Sequence, residues 1–124
     1  MKTNKKKTGK KESVSVAETT RNVGIKKEYF KTKNICRVTF RLPKKAASDA
    51  KNVCIVGDFN DWNIYANPLK KLKIGDYTIK LDLEPGREYQ FRYFIDESKW
   101  ENGRNADKYV KSPYGGFDNS VVIV

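Results

Sequence analysis

From Ile35 onward the chain alternates apolar and polar side chains with a period of two. Cys36, Val38, Phe40 and Leu42 stand against Arg37, Thr39 and Arg41, the pattern of a half-buried strand, and Pro43 ends it. Lys44 to Lys51 form a polar connection. Val53-Cys54-Ile55-Val56 is a short apolar run stopped by Gly57, which predicts a strand covered on both faces. Pro68, Leu69 and Leu72 open a short segment that turns at Gly75-Asp76. Tyr77, Ile79, Leu81 and Leu83 then alternate with Thr78, Lys80 and Asp82, and Glu84-Pro85-Gly86 places Pro and Gly as a type II turn needs them. Tyr89, Phe91, Tyr93 and Ile95 alternate with Gln90, Arg92 and Phe94. Asp96 to Lys99 reads as a turn, residues 101–119 as an irregular polar stretch, and Val121 to Val124 as a closing strand. The pattern holds no convincing amphipathic helix. Short strands separated by turns predict an all-β antiparallel β-sandwich.

Length and charge narrow the function classes. The chain has 124 residues, enough for one domain and too few for a complete (β/α)8 enzyme barrel. It contains no His, which excludes a Ser-His-Asp triad and any His metal site, and two Cys alone cannot complete a structural zinc site. The net charge of +11 first suggests nucleic acid or an anionic membrane surface. Its distribution changes that picture. Residues 1–34 hold eleven Lys/Arg and three Glu, so +8 of the excess lies there and only +3 in residues 35–124. The stretch up to Val23 is poor in large apolar residues and cannot offset its ordering entropy. Residues 1–24 are therefore expected to be a disordered basic tail, with the β-sandwich domain in 25–124. No apolar run has signal-peptide or membrane-span length, and the two isolated Cys suit a reducing cytoplasm. Cys36 and Cys54 fall in strands and are expected to be free buried thiols. Lys5-Lys6-Lys7 and Lys10-Lys11 could bind nucleic acid electrostatically or act only as a solubilising tail.

Two tryptophans stand outside the core alternation. Trp62 lies in Gly57-Asp58-Phe59-Asn60-Asp61-Trp62-Asn63, and Trp100 in Glu97-Ser98-Lys99-Trp100-Glu101. An indole in a polar turn offers a flat apolar face with a donor at its edge. Pyranose rings, with apolar C–H faces ringed by hydroxyls, fit such platforms. The same positions also suit plugs folded over an end of the sandwich. Asp58 with Asp61, or Asp96 with Glu97, could be named as carboxylate pairs for glycoside hydrolysis. Such pairs must flank a scissile bond at about 5–10 Å, whereas adjacent acids in turns are ordinary turn chemistry.

Residues 35–124 resemble the isoamylase N-terminal, or early-set, family of glycogen-binding modules, which occurs in glycogen branching and debranching enzymes and in the β subunit of AMP-activated protein kinase. The resemblance runs through Val53-Cys54-Ile55-Val56-Gly57-Asp58-Phe59-Asn60-Asp61-Trp62, Pro68-Leu69, Asp82-Leu83-Glu84-Pro85-Gly86 and Tyr89-Gln90-Phe91-Arg92-Tyr93-Phe94-Ile95-Asp96. It ends in Tyr114-Gly115-Gly116-Phe117-Asp118-Asn119-Ser120-Val121-Val122. The opening Ile35-Cys36-Arg37-Val38-Thr39-Phe40-Arg41-Leu42-Pro43 looks most like small bacterial members.

The resemblance implies an immunoglobulin-like early-set sandwich with no chemistry and no cofactor of its own. Its ligand would be an α-1,4-glucan such as glycogen or a maltooligosaccharide, and its protein partner a glucan-processing enzyme. It also implies site residues: Trp62 stacking on a glucose ring, Arg92 bonding sugar hydroxyls, Trp100 as a second platform, and Asn119 in the closing motif. Together they would form one groove at an edge of the sandwich. The chain departs from the kinase-type pattern in three places. Arg92 stands for a Lys, the turn before Trp100 is one residue longer, and the stretch before Asn119 lacks the apolar and Thr positions that contact sugar there. The alternatives are a protein-docking sandwich with the tryptophans as interface anchors, and nucleic-acid binding through the tail.

Overall fold

The computed structural model describes residues 24–124. Its strands are β1 (Gly24–Phe30), β2 (Ile35–Leu42), β3 (Val53–Gly57), β4 (Lys70–Lys71), β5 (Tyr77–Leu83), β6 (Glu88–Ile95), β7 (Lys99–Glu101), β8 (Lys108–Lys111) and β9 (Asp118–Ile123). They form two antiparallel sheets: a four-stranded sheet in the order β1-β2-β5-β4, and a five-stranded sheet in the order β3-β6-β9-β8 with β7 also paired to β6. The fold is thus the all-β antiparallel sandwich that the alternation predicts. No helix among the described residues is long and apolar enough to cross a membrane.

The inward sets of the two sheets meet in one core. Val38, Phe40 and Leu42 from β2 pack with Ile55 from β3, Phe91 and Tyr93 from β6, and Val122 from β9, all fully buried. Phe91 is central: its ring lies edge-on to Phe40 at 5.0 Å and to Tyr93 at 5.8 Å. Edge-to-face packing of this kind adds about 0.5–1.5 kcal/mol per pair beyond burial. Tyr89 ties the β5–β6 turn, accepting from the Glu84 amide (3.1 Å) and donating to the Glu84 carbonyl (2.9 Å). Gly86 takes the positive φ (82°) that a type II turn demands.

The strands and their boundaries differ from the expected ones at the two ends of the domain. β1 lies in a stretch with no clean alternation, because Lys27 occupies an inward phase. It does so by reaching Asp107 at 2.8 Å, an ion pair across the sandwich. Gly24 begins β1, so the expected tail reaches one residue too far; the rest of it, residues 1–23, lies outside the described residues. Gly24 has φ 105°, and a Cβ there would sit 2.7 Å from the Arg104 carbonyl oxygen. The irregular stretch of 101–119 contains β8, an edge strand whose exposed Lys108, Tyr109 and Lys111 carry no burial pattern. The closing strand begins at Asp118, three positions earlier than expected. The 44–51 connection is less polar than its lysines suggest, since Ala46, Ala47 and Ala50 are buried. Cys36 is a buried free thiol as expected, but Cys54 is free and only half-buried. Cys54 pairs with Phe94 on the outward phase of the sheet, where burial and nearby Glu97 push its thiol pKa up.

Candidate functional site

The site is built on the outer face of the five-stranded sheet. β6 turns Tyr89, Phe91, Tyr93 and Ile95 into the core and so presents Gln90, Arg92 and Phe94 on the other side. β3 stops at Gly57, where a Cβ would lie 2.4 Å from the Gln90 carbonyl oxygen; only glycine lets the strands approach this closely. The following turn is pinned from several sides. Phe59 packs against Phe40 at 5.8 Å. The Asn60 side chain accepts from the Gly57 amide (3.0 Å) and donates to the Ile55 carbonyl (3.0 Å) and Asn67 Oδ1 (2.8 Å). Asp61 and Trp62 are both left-handed (φ 56° each), and the Trp62 amide donates to the Gly57 carbonyl at 2.9 Å.

This turn sets the Trp62 ring over the sheet, half-buried. Its Nε1 donates to Asp58 Oδ1 at 2.9 Å, and Asp58 Oδ2 accepts from the Gln90 amide at 2.7 Å. One carboxylate therefore couples the indole to the backbone of β6. Asp96 does similar turn work, accepting from the Lys51 and Asn52 amides at 2.8 Å each. Those backbone bonds hold its pKa below the usual carboxylate value.

Trp100 lies in β7, just beyond the turn that begins at Asp96, directly opposite Phe94. The two rings stack with centroids 4.3 Å apart and planes 29° from parallel, leaving Trp100 37% exposed. The Arg92 guanidinium sits 4.4 Å from the Phe117 ring centroid and 5.4 Å from that of Trp100. Burial lowers the Arg92 pKa, with Glu101 opposing, though an Arg stays charged at neutral pH. Its Nε is buried and has no hydrogen-bond partner among the described residues. Asn119 is buried, donates from Nδ2 to Gln90 Oε1 at 3.1 Å, and leaves its buried Oδ1 without a partner.

Trp62, Arg92, Trp100 and Asn119, all named from the sequence, line a single groove of about 690 Å³. It lies across the outer sheet face, not at an edge of the sandwich. Gln90, Phe117 and Tyr114 line it as well, and sequence reasoning had not picked them. Gln90 was legible from the alternation, since it shares a phase with Arg92. Phe117 and Tyr114 belong to a loop with no periodicity, and their only signal was aromatic character beside Gly115-Gly116. Tyr114 is 90% exposed.

The arrangement offers flat apolar faces beside a guanidinium and two side-chain amides. It fits a ligand that is apolar on its faces and hydroxylated at its edges. Comparison with known proteins agrees with this chemistry. The family description "Carbohydrate-binding module 48 (Isoamylase N-terminal domain)" matches residues 37–115, a span that includes Trp62, Arg92 and Trp100 and stops before Asn119. A 1,4-alpha-glucan branching enzyme of Deinococcus radiodurans is 38% identical over 72 residues. That alignment covers 57% of this chain and 9% of the enzyme, so the chain spans only a small part of the relative's length.

Proposed function

The chain belongs to the carbohydrate-binding module 48 (isoamylase N-terminal domain) family, and from that premise we propose that its groove binds α-1,4-linked glucan, glycogen in particular, without acting on it chemically. The observation that carries this reading is the meeting of two indoles with Arg92 and Asn119 in one groove. A sugar hydroxyl both accepts and donates hydrogen bonds, so it suits the donors of the Arg92 guanidinium and the side-chain amides of Gln90 and Asn119 that line the groove with it. Trp62 supplies the principal stacking face. Trp100, braced from behind by Phe94, supplies a second.

Native electrophoresis in gels containing glycogen tests the reading. The wild type should be retarded in proportion to glycogen concentration, and Trp62→Ala should lower affinity by about tenfold or more, as loss of a binding hot spot does. Unchanged wild-type mobility at every concentration refutes it. A second reading is docking to a glucan-processing enzyme. It draws on the highly exposed Tyr114 and on the match to a segment of a branching enzyme. Such docking should survive excess maltooligosaccharide.

A further inference from the structure

We propose that the outer face of the four-stranded sheet binds the phosphate backbone of single-stranded nucleic acid, on the side of the sandwich away from the aromatic groove. The strand register builds this face. Lys26, Thr39 and Lys80 are direct neighbours across β1, β2 and β5. Arg37 and Arg41 stand two residues to either side of Thr39 on the same face of β2. One hydroxyl is therefore ringed by four cations, and the five residues line a shallow concavity of about 170 Å³.

The four cations are not equivalent. Asp82 holds Arg37 by two bonds of 2.8 and 3.1 Å, and Asp76 holds Arg41 at 3.0 Å. Lys26 and Lys80 are exposed and form no ion pair with any described residue. Glu28 is the one acid among the residues lining the concavity. Two free ammonium groups beside a hydroxyl are the usual partners of phosphate oxygens.

Two further observations favour a nucleic acid over an acidic protein or a membrane. At the end of the same face the Phe30 ring has the Arg37 guanidinium 4.9 Å and the Lys33 ammonium 5.9 Å from its centroid. An aromatic ring among cations is the composition of single-strand binding platforms. The concavity itself offers no large apolar anchor for a protein hot spot or for insertion into lipid.

Fluorescence anisotropy of a labelled single-stranded oligonucleotide, titrated with the full chain over a salt series, tests the proposal. Wild type should bind at low salt. In Lys26→Ala/Lys80→Ala the slope of log affinity against log salt should fall by about 1.4, at roughly 0.7 per single-strand phosphate contact. Lys26→Arg/Lys80→Arg should keep the wild-type slope. Saturating maltoheptaose and Trp62→Ala should leave the binding intact, whether or not the groove binds glucan. Four results overturn the proposal: no binding at low salt; a slope unchanged in the double alanine variant, which assigns binding to the N-terminal segment alone; displacement by maltoheptaose; or tighter binding to vesicles of anionic phospholipid than to the oligonucleotide.

Discussion

The outward positions of β6 include Gln90, Arg92 and Phe94, and those of β2 include Arg37, Thr39 and Arg41. Both strands send aromatic or aliphatic side chains into the same core, yet their outer faces are prepared for different chemistry. The arginines show why. Asp82 holds Arg37 and raises its pKa, so much of its donor capacity is spent inside the protein. Arg92 has the rings of Trp100 and Phe117 but no carboxylate like the one that holds Arg37, which also lies over the Phe30 ring, and burial lowers the Arg92 pKa. An arginine without an acidic partner keeps its donors for a neutral ligand. An arginine already paired with acid mainly shapes the field around neighbouring lysines. One residue type thus does two jobs, and the side chains it faces across the sheet decide which.

The most disruptive way to break this contrast is through the shared core. Phe91→Ala removes a fully buried ring that touches Phe40, Phe59 and Tyr93. It should cost about 3–5 kcal/mol, the range for such truncations. A urea titration should show the midpoint fall in one cooperative step reported alike by both sheets. Two separate transitions would mean that the faces stand on independent foundations.

A smaller change should strike one face only. Asp58→Ala leaves the Trp62 Nε1 and the Gln90 amide without their shared acceptor. Water can reach this exposed site, so the expected loss of glucan affinity is about fivefold, close to 1 kcal/mol. A red shift in Trp62 emission should accompany it. Asp58→Asn, which keeps an acceptor oxygen, should restore part of both. Oligonucleotide binding should not move. Equal affinity in all three proteins would show that the indole holds its orientation without the carboxylate.

Legibility in the sequence followed the same division between faces and loops. The alternation in β2, β5 and β6 was plain because every second residue faces the core, and it also assigned Arg92 to the outer face. Trp62 was legible because its turn carries a run of specific residues: Gly57 for close approach, Phe59 as anchor and Asn60 as staple. β1 was hidden by Lys27, whose inward position makes sense only once Asp107, eighty residues away, is known to meet it. The strand that carries Trp100 went unread because β7 is three residues long and the contact of Trp100 with Phe94 is made across the sheet. Phe117 was missed because a ring stacked on a guanidinium leaves no periodic trace. The pairing of Arg37 with Asp82 and the crowding of cations around Thr39 likewise needed the register, which no single strand reveals.

The smallest expected effect separates the sheets by their acids. Asp96, at the end of β6, and Asp82, in β5, both have pKa values held below the ordinary carboxylate value, the first by backbone amides and the second by Arg37. In the unfolded chain each should titrate near 3.9. The native state binds these protons less readily than the unfolded chain. Each acid therefore stabilises the fold fully above about pH 4 and loses that contribution as pH falls through its lower folded pKa. The two should respond differently to salt. The Arg37–Asp82 pair is an exposed ion pair, open to screening. The bonds from the Lys51 and Asn52 amides to Asp96 are short-range and directional. In wild type, Asp82→Asn and Asp96→Asn, urea midpoints should be compared above and below pH 4, each at low and at about 1 M salt. The acid-side loss should shrink in both variants, but only the Asp82 share should fade with salt. If salt weakens the Asp96 share equally, long-range charge, and not the two amide bonds, accounts for its lowered pKa.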